Sequence, residues 1–215
     1  MPYAFVPPPH ARLRARFAHR LLCWAGWRVD FDGRLPGPKG VIIAYPHTSN
    51  WDFAVGLLAI WALDLPIRWV GKDTLFSGWL GWVVGPLLRR WGGRPVYRHV
   101  PSGAVEQLAQ AMEQEPAFWL ALSPEGTRKR LDCWRSGFYH LTRRMQVPLG
   151  LAYFDFPART VGISSFVELS GDMVRDMRQI ASAYGGRHGR YPELESAIVL
   201  EPAAGNGSLP VERRF

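Results

Sequence analysis

The chain has 215 residues, 47% apolar and 20% charged, which is enough for one sizeable core and excludes a disordered chain. Two cysteines, Cys23 and Cys133, exclude a disulfide scaffold and a four-cysteine zinc site, and fit a reducing compartment. The formal charge of +8 is uneven: residues 1–144 carry +9 and residues 145–215 carry −1, so an anionic partner is expected on the first two-thirds.

All ten tryptophans fall between Trp24 and Trp134. Tryptophan beside arginine suits a membrane interface, and it equally suits nucleic-acid binding by stacking and phosphate contact. Composition does not separate the two. No stretch reaches the roughly 20 uninterrupted apolar residues that a spanning helix needs. Arg12, Arg14, Arg16 and Arg20 interrupt any signal-like apolar run at the start.

Residues 2–9 are Pro-rich and read as an extended lead-in. From His10 to Arg28 the pattern is helical, with Leu13, Phe17, Leu21 and Trp24 on one face and arginines mostly elsewhere. A basic amphipathic helix of this kind is expected to lie flat on anionic lipid. Residues 1–30 are therefore assigned to a basic amphipathic segment and 31–215 to a single domain. Pro36–Gly40 is a turn, Gly40–Tyr45 a buried strand, Pro46–Asn50 a loop and Trp51–Leu63 a largely apolar helix. Ile67–Val70 is a second short strand. Leu75–Leu88 is apolar but broken by Gly78, Gly81, Gly85 and Pro86, which predicts a buried or membrane-dipping hairpin.

Pro95–Tyr97 reads as a short strand before a helix capped at Ser102 and ending near Gln114. Ala117–Leu122 is another buried strand, Ser136–Gln146 a helix, and Val147–Tyr153 and Val161–Val167 are strands. Asp172–Tyr184 is a helix, and the tail after Glu201 reads as loose. Strands alternate with helices, which predicts an α/β fold with a mixed, largely parallel sheet flanked by helices.

In such a sheet a ligand lies beyond the carboxyl ends of the strands. Two of those ends are rich in polar groups: Pro46-His47-Thr48-Ser49-Asn50-Trp51-Asp52 and Ser123-Pro124-Glu125-Gly126-Thr127-Arg128. With Ser49 or Asn50 as helix cap, Asp52 falls in the first helical turn, where it can fix the tautomer of His47 and raise its basicity. The pair could remove a proton from a hydroxyl. With no further His or Cys nearby in sequence, it is a poor metal site. In the second loop Gly126 permits a tight turn, and Thr127 and Arg128 can bond a phosphate. A third loop, Gly92 to Arg98, adds Arg94 and Arg98. Cys133 and His140 sit at no recognisable nucleophile turn.

The order of these blocks resembles the glycerolipid acyltransferase family of the 1-acylglycerol-3-phosphate acyltransferase type. His47 to Asp52 matches its H-x4-D block, Gly93 to Arg98 the second, Pro124 to Arg128 the P-E-G-T-R block and Val147-Pro148-Leu149 the fourth. The resemblance covers residues 40 to 155. It implies acyl transfer from acyl-CoA or acyl carrier protein to a lysophospholipid hydroxyl. It casts His47 as general base, Asp52 as its orienting group, and Arg98, Glu125, Gly126, Thr127 and Arg128 as the acceptor-binding residues. It implies no cofactor beyond the donor, no metal and no nucleic acid, and a peripheral place on the cytoplasmic face of an anionic membrane. Val96-Tyr97 and Lys129-Arg130 depart from common family residues. That keeps open a non-phosphate acceptor such as a lyso-aminolipid. A non-catalytic membrane- or nucleic-acid-binding protein would explain the charge and the tryptophans, but would leave His47, Asp52 and the PEGTR turn without a reason.

Overall fold

The structure, a computed structural model, describes residues 5–8, 11–96 and 101–200. In chain order its elements are α1 (Leu13–Trp24), β1 (Arg28–Asp30), β2 (Lys39–Tyr45), α2 (Asn50–Ala62), β3 (Ile67–Lys72), α3 (Gly78–Arg90) and β4 (Gly93–Val96). They continue with α4 (Pro101–Gln114), β5 (Phe118–Leu122), α5 (Gly137–Met145), β6 (Leu149–Asp155), β7 (Thr160–Val167) and α6 (Met173–Tyr184). The strands form one sheet in the order β1-β7-β6-β2-β5-β3-β4. Every pairing is parallel except β6 with β7, so the mixed, largely parallel α/β fold expected from the sequence is present.

The strands at the centre are buried on both faces, which is why β2 reads as a continuous apolar run. The two faces are filled differently. On one, α4, α5 and α6 pack against Val41, Ile43, Leu120, Leu149 and Leu151. Trp134 and Tyr184 interlock there with Tyr45 and with each other in edge-on and tilted ring contacts, and Phe138 meets Trp134 edge-on. On the other face α2 is flanked by α1 on one side, through Ala18 and Leu22 against Val55, Ala59 and Ala62. On its other side lies α3, where Leu88 and Val84 meet Leu57 and Trp61.

Helix starts follow their side-chain chemistry. Ser49 and Asp52 form a reciprocal capping box at α2. Asp172 caps α6 by accepting from the backbone N–H groups of Val174 and Arg175.

Two expectations need correction, and one strand was not anticipated. Residues 78–90 form one continuous helix rather than a broken hairpin. Its glycines serve close packing: a Cβ at Gly81 would lie 2.4 Å from the carbonyl carbon of Phe76. Pro86 sits inside the helix on its exposed side. The sequence reading missed β1, three residues held at the sheet edge by β7. Ser102 lies in the first turn of α4 rather than capping it. The strand expected at Pro95–Tyr97 is β4, and Tyr97 lies outside the described residues.

Candidate active site

Strands β2 and β5 lie side by side and parallel, with Ile43 opposite Leu122. The chain leaves β2 for α2 on one face of the sheet, and leaves β5 for α5 on the other. Adjacent strands whose connections diverge open a crevice at their carboxyl ends, the usual place for a ligand in this architecture. The loops after these two strands are those that carry His47 and Glu125.

His47 Nδ1 lies 3.1 Å from Asp52 Oδ2. A proton on Nδ1 would face that carboxylate, and in this tautomer Nε2 keeps its lone pair. Asp52 is almost wholly buried, and the same Oδ2 accepts the Ser49 backbone N–H at 2.8 Å. The carboxylate that caps the helix is thus the one that faces the imidazole. The imidazole itself remains partly exposed, with 25% of its side chain accessible.

Glu125 is fully buried. One carboxylate oxygen accepts the His47 backbone N–H at 2.8 Å, the other the Ser196 N–H at 3.2 Å. Burial pushes its pKa above the ordinary carboxylate range, against the opposing pull of these hydrogen bonds. The carboxylate therefore ties the His47 loop to a segment near the end of the described chain. That segment was not anticipated. Ser196 also accepts from the Tyr45 hydroxyl through its carbonyl, and from the Leu131 N–H through its own hydroxyl. The Tyr191 N–H donates to Thr48 Oγ1, and Gly189 packs so closely that a Cβ there would meet that oxygen at 2.6 Å. Isolated glycine, serine and tyrosine residues carry no motif from which this buttress could have been read.

Below His47 an apolar cavity of about 600 Å³ runs between α2 and the sheet, within the range of small-molecule pockets. His47, Ser123, Thr127 and Arg128 stand on its polar part, and Gly56, Ala121, Ala152 and Gly162 line its apolar part. The hydroxyl of Ser123 is buried and has no hydrogen-bond partner among the described residues. The hollow has a sequence cause. In β6 the run Leu149-Gly150-Leu151-Ala152-Tyr153 alternates large and small, and Ala44 stands opposite Ala152. The large residues fill the α4–α6 face; on the α2 face Phe166 and Ile42 close over Gly150, and Ala152 with Ala44 leaves the space open.

Gly126 takes a left-handed φ of +63° and turns the chain at the rim. Thr127 and Arg128 lie on the cavity, with Arg128 exposed. Arg98, together with Tyr97 and His99, lies outside the described residues. His140 is exposed and Cys133 half-buried. Among the described residues no cluster of three His, Cys, Asp or Glu could hold a metal. No helix among them is long and apolar enough to cross a membrane.

A family model for acyltransferases matches residues 28–152, more than half of the chain, and the chain belongs to that family. The matched span contains His47, Asp52, Glu125 and Arg128, so an acyltransferase is the class that fold and site together define. Among solved structures, the fold is similar to the crystal structure of the 1-acyl-sn-glycerophosphate acyltransferase PlsC from Thermotoga maritima. The two are 16% identical with a TM-score of 0.53, over 81% of this chain and 80% of that one. No curated protein matches.

Proposed function

We propose that this acyltransferase moves a long acyl chain from a thioester, acyl-CoA or acyl carrier protein, to the hydroxyl of a lysophospholipid, most simply 1-acylglycerol-3-phosphate. The observation that carries this reading is the oriented imidazole of His47 at an apolar cavity of about 600 Å³. A base beside an acyl-sized hollow is what transfer between two lipidic substrates requires.

In this reading Nε2 of His47 takes the proton of the acceptor hydroxyl as its oxygen attacks the thioester carbonyl. Asp52 holds the ring and stabilises the imidazolium. The amino end of α2, with Asn50 on the cavity, and the hydroxyl of Ser123 supply donors for the oxyanion. The C–S bond then breaks, and the thiolate recovers the proton from the imidazolium. No covalent enzyme intermediate is required, because the thioester is already activated. Arg128, Thr127 and Arg98 meet the acceptor phosphate. Glu125, sealed between two backbone N–H groups, serves the acceptor indirectly by fixing the His47 loop. The exposed Leu13, Phe17 and Trp24 of α1, flanked by arginines, hold the enzyme on an anionic membrane surface where acceptor and product reside.

The test is thiol release from a long-chain acyl-CoA, with and without lysophosphatidate, in the parent and in His47→Ala. Acceptor-dependent release that the variant loses by about 10²–10⁴ supports the reading. Release without any acceptor would indicate a thioesterase instead. Release that answers only to a non-phosphate lysolipid would overturn the acceptor assignment.

A further inference from the structure

Helix α3 is apolar nearly all the way round, yet half of it faces outward. Trp79 and Trp82 are each 83% exposed, and Val83 and Leu87 are also exposed, so they form one stripe at helical spacing. Pro86 is exposed between them. The stripe is not a loose end that packing failed to cover. The opposite side of α3 is closely seated: Gly81 and Gly85 lie against the backbone of Phe76, and Leu88 is buried with Leu57 and Trp69. Two tryptophans held outward on a well-seated helix are an expensive arrangement in water and a favourable one at a lipid headgroup layer.

Charge selects the occupant. The stripe ends at Arg89 and Arg90, both exposed. Across α2, helix α1 presents a second outward stripe, Leu13, Phe17 and Trp24, with Arg16 and Arg20 exposed beside it. Both helices pack on α2 from the same face of the sheet. Apolar side chains with arginines beside them match an anionic bilayer, in which the rings sit at headgroup depth and the guanidinium groups meet phosphate. The inner side of α3 also matters: Val84 and Leu88 line the cavity beneath α2. One helix thus separates the hollow from the surface that carries the exposed tryptophans.

We infer that α3 is a second membrane-seating element, which inserts Trp79 and Trp82 into an anionic lipid surface and sets the wall of the cavity against the bilayer. The protein then sits on lipid by two helices on either side of α2. This extends the membrane association proposed above for α1, but it does not depend on the transfer reaction.

The experiment uses the full chain and vesicles of phosphatidylcholine with and without phosphatidylglycerol. Co-sedimentation is compared for the parent, for Trp79→Ser with Trp82→Ser, and for Phe17→Ser with Trp24→Ser. All four side chains are exposed, so thermal unfolding is expected to be close to that of the parent. The α3 pair is expected to lower vesicle affinity by about tenfold or more, as loss of buried aromatic surface requires. The loss should be steepest on phosphatidylglycerol vesicles. Undiminished binding by the α3 pair would overturn the inference. So would a change of mass from dimer to monomer, by light scattering without lipid, with vesicle binding intact, because the stripe would then cover a second copy. Trp79→Phe with Trp82→Phe, which conserves apolar bulk, gives an independent reading if the serine pair fails to fold. Quenching of tryptophan fluorescence by brominated lipid should fall in that variant, and unchanged quenching would refute insertion. Vesicle binding needs no turnover, so inactivity toward acyl-CoA would leave these results readable.

Discussion

The two faces of the sheet use apolar residues for opposite ends. On the α4–α6 face, Trp134, Phe138, Tyr45 and Tyr184 fill the space and leave the outer helix surfaces to charged residues such as Glu106, Arg144 and Arg175. On the α1–α3 face Trp27, Trp69, Phe76 and Trp119 are buried too, but small residues leave a cavity of about 600 Å³ and Trp24, Trp79 and Trp82 are carried outside. The same strands build both, because successive residues point to opposite faces. The difference leaves one side of the sheet solid and the other partly hollow, with His47 on the hollow side, and it predicts that stability and transfer can be disturbed separately.

The sharpest test of that division is at the His47–Asp52 pair. Asp52→Asn keeps a capping side chain for α2 but removes the carboxylate from His47. We expect transfer to fall by about 10²–10⁴ with the unfolding midpoint little changed, as read by initial rates beside thermal unfolding. An active variant would mean that Asp52 is a cap only. Phe138→Ala probes the other face. A fully buried aromatic in a filled core should cost about 3–5 kcal/mol by denaturant unfolding, while the folded fraction retains its activity. If activity vanished with the fold intact, the two sides would not be separable.

Ala121→Phe comes next. It fills the hollow without touching His47, so the longest acyl donors should lose about 10–100-fold in kcat/KM relative to short ones. Uniform loss across chain lengths would argue that the cavity does not hold the acyl chain.

The smallest effects are in pH dependence, and their signs oppose. Burial raises the pKa of Glu125, so its contribution to stability is present below the ordinary carboxylate value and lost as pH rises through the raised one. The midpoint of the parent should therefore fall relative to Glu125→Gln over that rise. For Asp176, burial also pulls upward, but hydrogen bonds from Ser170, Tyr139 and Gly171 outweigh it and hold the pKa below the ordinary value. Its contribution is present above the ordinary value and lost on acidification, so parent and Asp176→Asn should converge below about pH 4. Parallel curves for either pair would refute the corresponding assignment.

Much of the site was legible because it is local. A strand end, a histidine and a carboxylate five residues on fit one helix start, and the cap chemistry of Ser49 and Asp52 sets that carboxylate beside His47 by contacts within a few residues, while distant Glu125 and Tyr191 then hold the loop. Helix α3 was misread because a glycine written in a sequence does not say whether it turns the chain or admits a neighbour. Only the approach of the Phe76 backbone decides that.

By itself, then, the sequence determined the alternation of strands and helices, the His47–Asp52 pair and the presence of the helix α1. These rest on periodicity and on contacts within a few residues. Tertiary structure alone decided that Glu125 accepts the backbone N–H groups of His47 and Ser196 and that Ser196 and Tyr191 brace the His47 loop. It also decided that alanines on neighbouring strands open a cavity and that Trp79 and Trp82 point outward. Each depends on which distant segment arrives at a surface. That is set by the packing of the whole sheet, not by any spacing along the chain.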